Sequence, residues 1–248
     1  MFHDPMFLFS IFLSGLFAGF VNVYSGGATI LTVALMIFYG IPVSVANGTN
    51  RIGVLAASSV STYTFWKKDV ICAKKALKIG IWTIPGAIAG ALFSVNLNNE
   101  VFAKILGVIV IFIAVSLFIP NKSGETAKEF NPFVLAISMF VVGIYGGFIQ
   151  TGVGFIQMAV FKHIGGMSLL KTNAYKMANT LIFTIPAVAV FALTNSILFD
   201  CAVVVAVGSA AGAKIGSTLA IKKGEKFIKT VMLFALLIIS IMLFTHVK

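Results

Sequence analysis

Two cations stand where charge is expensive. Arg51 closes the stretch Asn47-Gly-Thr-Asn-Arg51, and Lys176 follows Lys171-Thr-Asn173-Ala-Tyr175, each inside a long apolar run. Both lie about eight residues, roughly 12 Å at helical rise, into that run. An ionisable side chain at such a depth in a bilayer costs at least about 2.5–3.5 kcal/mol, so something has to offset it. Ahead of each cation the apolar sequence is interrupted by glycines and uncharged polar residues, Asn22-Val-Tyr-Ser-Gly-Gly-Ala28 and Gln150-Thr-Gly-Val-Gly-Phe-Ile156. A helix broken by glycine exposes N–H groups at the positive end of the next helix and lets the backbone approach a ligand. The chemistry implied is the binding of a small anion, for which the planar five-donor fork of Arg51 is well suited.

The candidate binding residues are therefore Arg51, Lys176, Gly26, Gly27, Gly152 and Gly154, with Asn47, Asn50, Gln150 and Asn173 as neutral donors. Asn22, Thr49, Thr151 and Asn179 are further neutral donors available around the charge. Backbone carbonyls freed by the breaks, or trapped water, are the other means of satisfying the two cations. Each residue also has a purely structural reading: a cation snorkelling to the nearer interface, an asparagine bonding between helices, a glycine letting two helices approach.

The other reactive residue types argue against rival chemistries. All seven acids, Asp4, Asp69, Glu100, Glu125, Glu129, Asp200 and Glu225, fall in loops or at segment ends. No carboxylate is left at membrane depth, where proton pumps and cation carriers usually need one. His163 is the only histidine away from a terminus, and Cys72 and Cys201 have no metal-ligand spacing. No enzyme activity, cofactor or metal is expected.

The elements that must position the cations are membrane helices. Hydrophobic residues make up 59% of the chain and charged residues 10%, against about 25% charged in soluble domains; the mean hydropathy is +1.06. The apolar runs give five segments per half: roughly 6–24, 28–40, 43–65, 77–96 and 101–119, then 133–151, 154–164, 168–193, 197–220 and 227–245. The expected fold is all-α and polytopic, with residues 1–119 as a first membrane repeat, 120–132 as a polar, proline-bounded cytoplasmic linker, and 133–248 as a second repeat. Segments 28–40 and 154–164 reach only about 16–20 Å against roughly 30 Å of hydrocarbon, so both are read as broken or re-entrant helices. No cleavable signal peptide is expected, since Met1–Pro5 has no basic region.

Repetition supports the division. Gly15-x-x-x-Gly19-Phe20 returns 128 residues later as Gly143-x-x-x-Gly147-Phe148. Gly86-x-x-x-Gly90 is loosely matched with Gly212-x-x-x-Gly216, and Glu100-x-x-x-Lys104 with Glu225-x-x-x-Lys229. Lysines set the orientation. Lys67, Lys68, Lys74, Lys75 and Lys78 crowd one connection, while its counterpart at 194–200 has no base. Conversely 97–100 has no base, while its counterpart at 221–226 is lysine-rich. Basic loops stay on the cytoplasmic side, so the two repeats should be inverted relative to each other. The net charge of +11 is then a topology signal, and no nucleic-acid partner is expected. The partners are the lipid bilayer and a small anion, with a homo-oligomer left open.

The two glycine-rich breaks, the duplication and the length resemble the TauE/SafE family of sulfite and sulfonate exporters, the TSUP permeases. The resemblance runs from about Gly15 to Phe244. It rests on Gly15, Gly19, Gly26 and Gly27, then on Gly143, Gly147, Gly152 and Gly154. Family members often carry a longer glycine run followed by proline, where this chain has Ala28 and Phe155. The resemblance implies transport of small sulfur-containing anions, of the sulfite, thiosulfate and sulfoacetate class, across a bacterial inner membrane. An anion-selective channel and a carrier of small carboxylates are the alternatives.

Overall fold

The computed structural model describes residues 5–98, 100, 101, 104, 105 and 132–246. Among them every regular element is a helix. In the first half these are α1 (Pro5–Asn22), α2 (Thr29–Phe38), α3 (Val43–Trp66), α4 (Ala73–Gly80) and α5 (Thr83–Asn96). In the second they are α6 (Pro132–Phe148), α7 (Val153–Ala159) running into a π-helical turn at Val160–Ile164, α8 (Leu169–Leu193) and α9 (Phe199–His246). Most of the segment read at 101–119, and the linker up to residue 131, lie outside the described residues.

α1, α8 and the Phe199–Ile228 part of α9 are long and apolar enough to cross a membrane, and α4 with α5, bent by 50°, makes a fourth candidate if the pair is one broken span. Large apolar side chains face outward, while a set of polar and charged ones is buried among the apolar core. Phe9, Leu13, Ile137, Val141, Val203 and Val207 are exposed on the outer helices, whereas Asn47, Thr49, Asn50 and Arg51 are buried on α3. Contiguous exposed apolar surface of that kind belongs against lipid.

α2 has ten residues and α7 has seven, so both are half-spans, as their sequences indicate. The breaks ahead of them use left-handed backbone: Gly26 at φ 91°, Gln150 at φ 66° and Gly152 at φ 80°. Two segments differ from the sequence reading. The run at 77–96 begins four residues earlier and is two helices, because α4 is amphipathic: Ala76, Ile79 and Gly80 are buried while Lys74, Lys75 and Lys78 face out. The runs at 197–220 and 227–245 join into one helical element interrupted at Gly224, at φ 67° and ψ −162°.

Packing exchanges partners between the halves. α1 lies along α9, α6 lies along α5, and α3 crosses α8 at the centre. The small-xxx-small pairs are the contact points. The space a Cβ would need at Gly19 is taken by the Ser209 carbonyl, and at Gly147 by the Ala87 carbonyl. Gly86 and Gly90 meet Phe140 and Ile144 of α6, and it is Gly208 and Gly212 that meet Phe12 and Leu16 of α1. The glycine pairs that correspond are thus Gly86/Gly90 and Gly208/Gly212. The match with Gly212/Gly216 was displaced by one helical turn, because Gly208 is visible as a partner only once α1 is docked.

Candidate functional site

Both breaks meet in the middle of the molecule. The Gly152 N–H donates to the Gly26 carbonyl (3.2 Å), and Gly26 and Gly154 face each other so closely that a Cβ on either would collide with the other's backbone. Gly27, also buried, accepts a bond from the Ile30 N–H (3.3 Å) and helps turn the chain into α2. Beside this contact lies a cavity of about 20 Å³, whose wall includes Asn22, Gly26, Thr29, Gln150, Gly154 and Lys176. That volume holds about one water molecule. The first residues of both half-helices, Thr29 of α2 and Val153 of α7, also border it.

The two cations are fully buried, Arg51 at 0% and Lys176 at 1% exposure, and neither snorkels. Each reaches the C-terminal end of a helix in the other half. Arg51 donates from Nη1 to the Gly146 carbonyl (2.9 Å) and from Nη2 to those of Gly147 (2.6 Å) and Phe148 (3.0 Å), at the end of α6. Lys176 donates from Nζ to the carbonyls of Asn22 (2.9 Å) and Val23 (3.0 Å), at the end of α1. The last carbonyls of a helix have no intrahelical partner and carry its negative end. At membrane depth no water satisfies them. A lone cation is therefore compatible with the absence of a buried acid. The described acids, Asp69, Glu100, Asp200 and Glu225, are all exposed.

An asparagine accompanies each cation. Asn47 donates to the Phe148 carbonyl (3.1 Å) and to Ser94 Oγ (3.4 Å). Asn173, with its amide turned so that Nδ2 faces them, donates to the carbonyls of Val23 and Tyr24 (3.2 Å each). Thr49 Oγ1 accepts from the Leu198 N–H (3.0 Å); Asn50 is buried next to it. The Tyr145 hydroxyl donates to the Thr151 carbonyl (2.7 Å), holding the second break.

The two ends differ in what else they touch. The Arg51 guanidinium lies 4.5 Å from the Phe191 ring centre and forms no part of the cavity wall. Lys176 is on that wall. Two amide oxygens there, Asn22 Oδ1 and Gln150 Oε1, are buried without a hydrogen-bond partner among the described residues. Gln150 Nε2 donates to Thr184 Oγ1 (2.9 Å).

The sequence reading named Asn173, Lys176 and Asn179 on α8 but missed Thr180 and Thr184 beside them and Gln157 on α7. Asn179 donates to Gln157 Oε1 (3.3 Å), Gln157 to Thr180 Oγ1 (3.1 Å), and Thr180 lines the cavity. The signal was present: Asn173, Lys176, Thr180 and Thr184 recur at three- and four-residue spacing, which is one face of a helix.

Residues 11–243 match the family model described as sulfite exporter TauE/SafE. The chain belongs to that family. A probable membrane transporter protein of Sinorhizobium is 27% identical over 236 residues, 94% of this chain and 90% of the relative. The probable membrane transporter protein YfcA of Escherichia coli is 26% identical over 241 residues, 96% and 89% of the two chains. One from Haemophilus influenzae is 26% identical over 223 residues, 88% and 87%. No solved structure matches the chain. TauE/SafE membership covers both glycine breaks and both buried cations, and with the apolar exterior it makes the chain a multi-pass membrane protein.

Proposed function

We propose that this TauE/SafE protein carries small sulfur-containing oxyanions or organosulfonates across a bacterial inner membrane, binding them between the two glycine breaks. The observation that carries this reading is the cavity shared by both breaks, with Lys176 and two unpartnered amides on its wall. Either amide, rotated by half a turn, offers an N–H to an anion. Thr184 can then donate to Gln150 where it now accepts, so the rotation loses no bond. The positive ends of α2 and α7 border the same space and favour negative charge. Binding sites at the junction of two repeats are typical of secondary transporters.

The cavity is too small for any oxyanion larger than water, so this conformation is closed at its centre. The duplicated breaks with their short half-helices support a carrier that opens to one side at a time over a channel. A negative-inside potential expels an anion with about 2.3 kcal/mol per charge per 100 mV, which favours export. The lysine asymmetry supports inverted repeats: a reporter fused after Cys72 should read cytoplasmic and one fused at Ile197 periplasmic. The same side for both would remove the inversion.

The test is uptake into proteoliposomes of sulfite, thiosulfate, sulfate, sulfoacetate and simple carboxylates. Saturable flux of at least one sulfur oxyanion, with counterflow of the labelled anion, is the expected result. Flux of carboxylates alone would overturn the substrate class, and flux that does not saturate would overturn the carrier.

A further inference from the structure

We propose that the crevice between α3, α4 and α8 on the lysine-rich side binds one anionic phospholipid. Two cavities meet there. One, of about 610 Å³, is lined by Lys74, Lys75 and Lys171 with Asp69, Cys72 and Tyr175. The other, of about 330 Å³, is walled by Tyr63, Leu77, Ala178, Leu181 and Ile182. They share Trp66, Ile71 and Ala73, so the charged chamber and the apolar groove adjoin at the Trp66 indole.

A glycerophospholipid has the same order of parts: a phosphate, a glycerol ester region and an acyl chain. Three lysines face one carboxylate in the chamber, and no described carboxylate lies within ion-pair distance of any of the three. Lys75 Nζ stands 5.8 Å from the Tyr175 ring centre, and the Tyr175 hydroxyl accepts from the Cys72 N–H (3.3 Å). The wall is thus fixed while the ammonium groups remain available. Trp66 is half-exposed where the two spaces join, at the place an interfacial tryptophan takes at headgroup level. Basic pockets between spanning helices recognise anionic headgroups in this way. A free oxyanion would use the chamber and leave the groove unused. The groove selects a lipid.

The site is independent of which anion crosses the centre, and its test reads binding rather than flux. Intact protein and the K74Q/K75Q/K171Q variant are reconstituted in phosphatidylcholine containing a minor fraction of phosphatidylglycerol. Retained lipid is measured by native mass spectrometry, and melting is measured in pure phosphatidylcholine. Wild type should retain phosphatidylglycerol over phosphatidylcholine by at least about tenfold, given the weight of each lysine beside anionic lipid. The triple variant should lose that preference and melt like wild type. Leu181→Trp, which fills the groove and leaves the lysines, should also lower phosphatidylglycerol retention. Equal retention by wild type and triple variant overturns the proposal. So does stabilisation of the wild type by glycerol 3-phosphate or inorganic phosphate as large as that by the lipid, which would make the chamber a site for small oxyanions.

Discussion

The two buried cations solve one problem with different margins. Arg51 holds three carbonyls at the end of α6 and stacks near Phe191; Lys176 holds two at the end of α1 and borders the central cavity. A planar fork fixed on several acceptors is a fastener, whereas an ammonium on a flexible stem can change partners. Under the proposed function, Arg51 holds the halves together and Lys176 meets the anion. The residue with the richer chemistry for oxyanions is thus the one with three bonds already made to carbonyls, and only its Nε is buried without a partner among the described residues.

The largest effect should come from Arg51→Gln. It takes the donor from the Gly146 and Gly147 carbonyls and leaves Phe148 O with Asn47 alone, and charged hydrogen bonds are worth about 1.5–3 kcal/mol each. The variant should fail to give a monodisperse peak in detergent. Arg51→Lys should recover part of the folded protein as a point charge near the same carbonyls. A well-folded Arg51→Gln protein that binds no anion would reverse the assignment and make Arg51 the substrate residue.

Lys176→Gln comes next. It should remain folded, since an amide can still donate to one of the two carbonyls, and should weaken apparent substrate affinity by about ten- to a hundredfold. Saturation curves in proteoliposomes measure it. Unchanged curves would take the cavity out of the transport path.

These two outcomes could not be separated from the sequence, and the reason is physical. Depth, lone charge and glycine breaks are local properties, and they located Arg51, Lys176, Gly26 and Gly154 at the centre of the fold. Which acceptor each cation takes depends on α6 and α1, which lie across the halves and become neighbours only by packing. Likewise Lys74, Lys75 and Lys78 read as a loop because charge was counted without its period; α4 buries Ala76 and Ile79 on the opposite face. Gln157 on α7 and Thr180 and Thr184 on α8 carry no charge to draw notice, though the two threonines stand at helical spacing.

A smaller effect separates strain from contact among the glycines. Gly26 and Gly40 both have positive φ, but a Cβ at Gly40 would meet nothing within 4 Å, whereas at Gly26 it would strike Gly154. Gly40→Ala should cost only the left-handed strain, about 1–2 kcal/mol, and leave transport intact. Gly26→Ala and Gly154→Ala should both impair transport, because each pushes the breaks apart beside Lys176. Thermal melts and uptake on the three variants check this. Transport lost equally in Gly40→Ala would mean that backbone strain, and not the contact of the breaks, is what matters.

The finest comparison uses the accompanying asparagines. Phe148 O accepts from both Asn47 Nδ2 (3.1 Å) and Arg51 Nη2 (3.0 Å), and Val23 O accepts from both Asn173 (3.2 Å) and Lys176 Nζ (3.0 Å). A carbonyl has two lone pairs, so removing the asparagine leaves each shared oxygen with its cation. Asn47→Ala and Asn173→Ala should therefore cost little, about 0.5–1.5 kcal/mol each, read as a small fall in melting temperature. Transport should tell them apart. Without Asn173 the Val23 carbonyl holds Lys176 alone and more firmly, so the ammonium turns to the anion less readily and apparent affinity should fall a few-fold. Without Asn47 the same tightening falls on Arg51, which faces no cavity, and affinity should stay as in wild type. If Asn47→Ala shifts affinity and Asn173→Ala does not, the anion is met at the α6 end, and the roles of the two cations are exchanged.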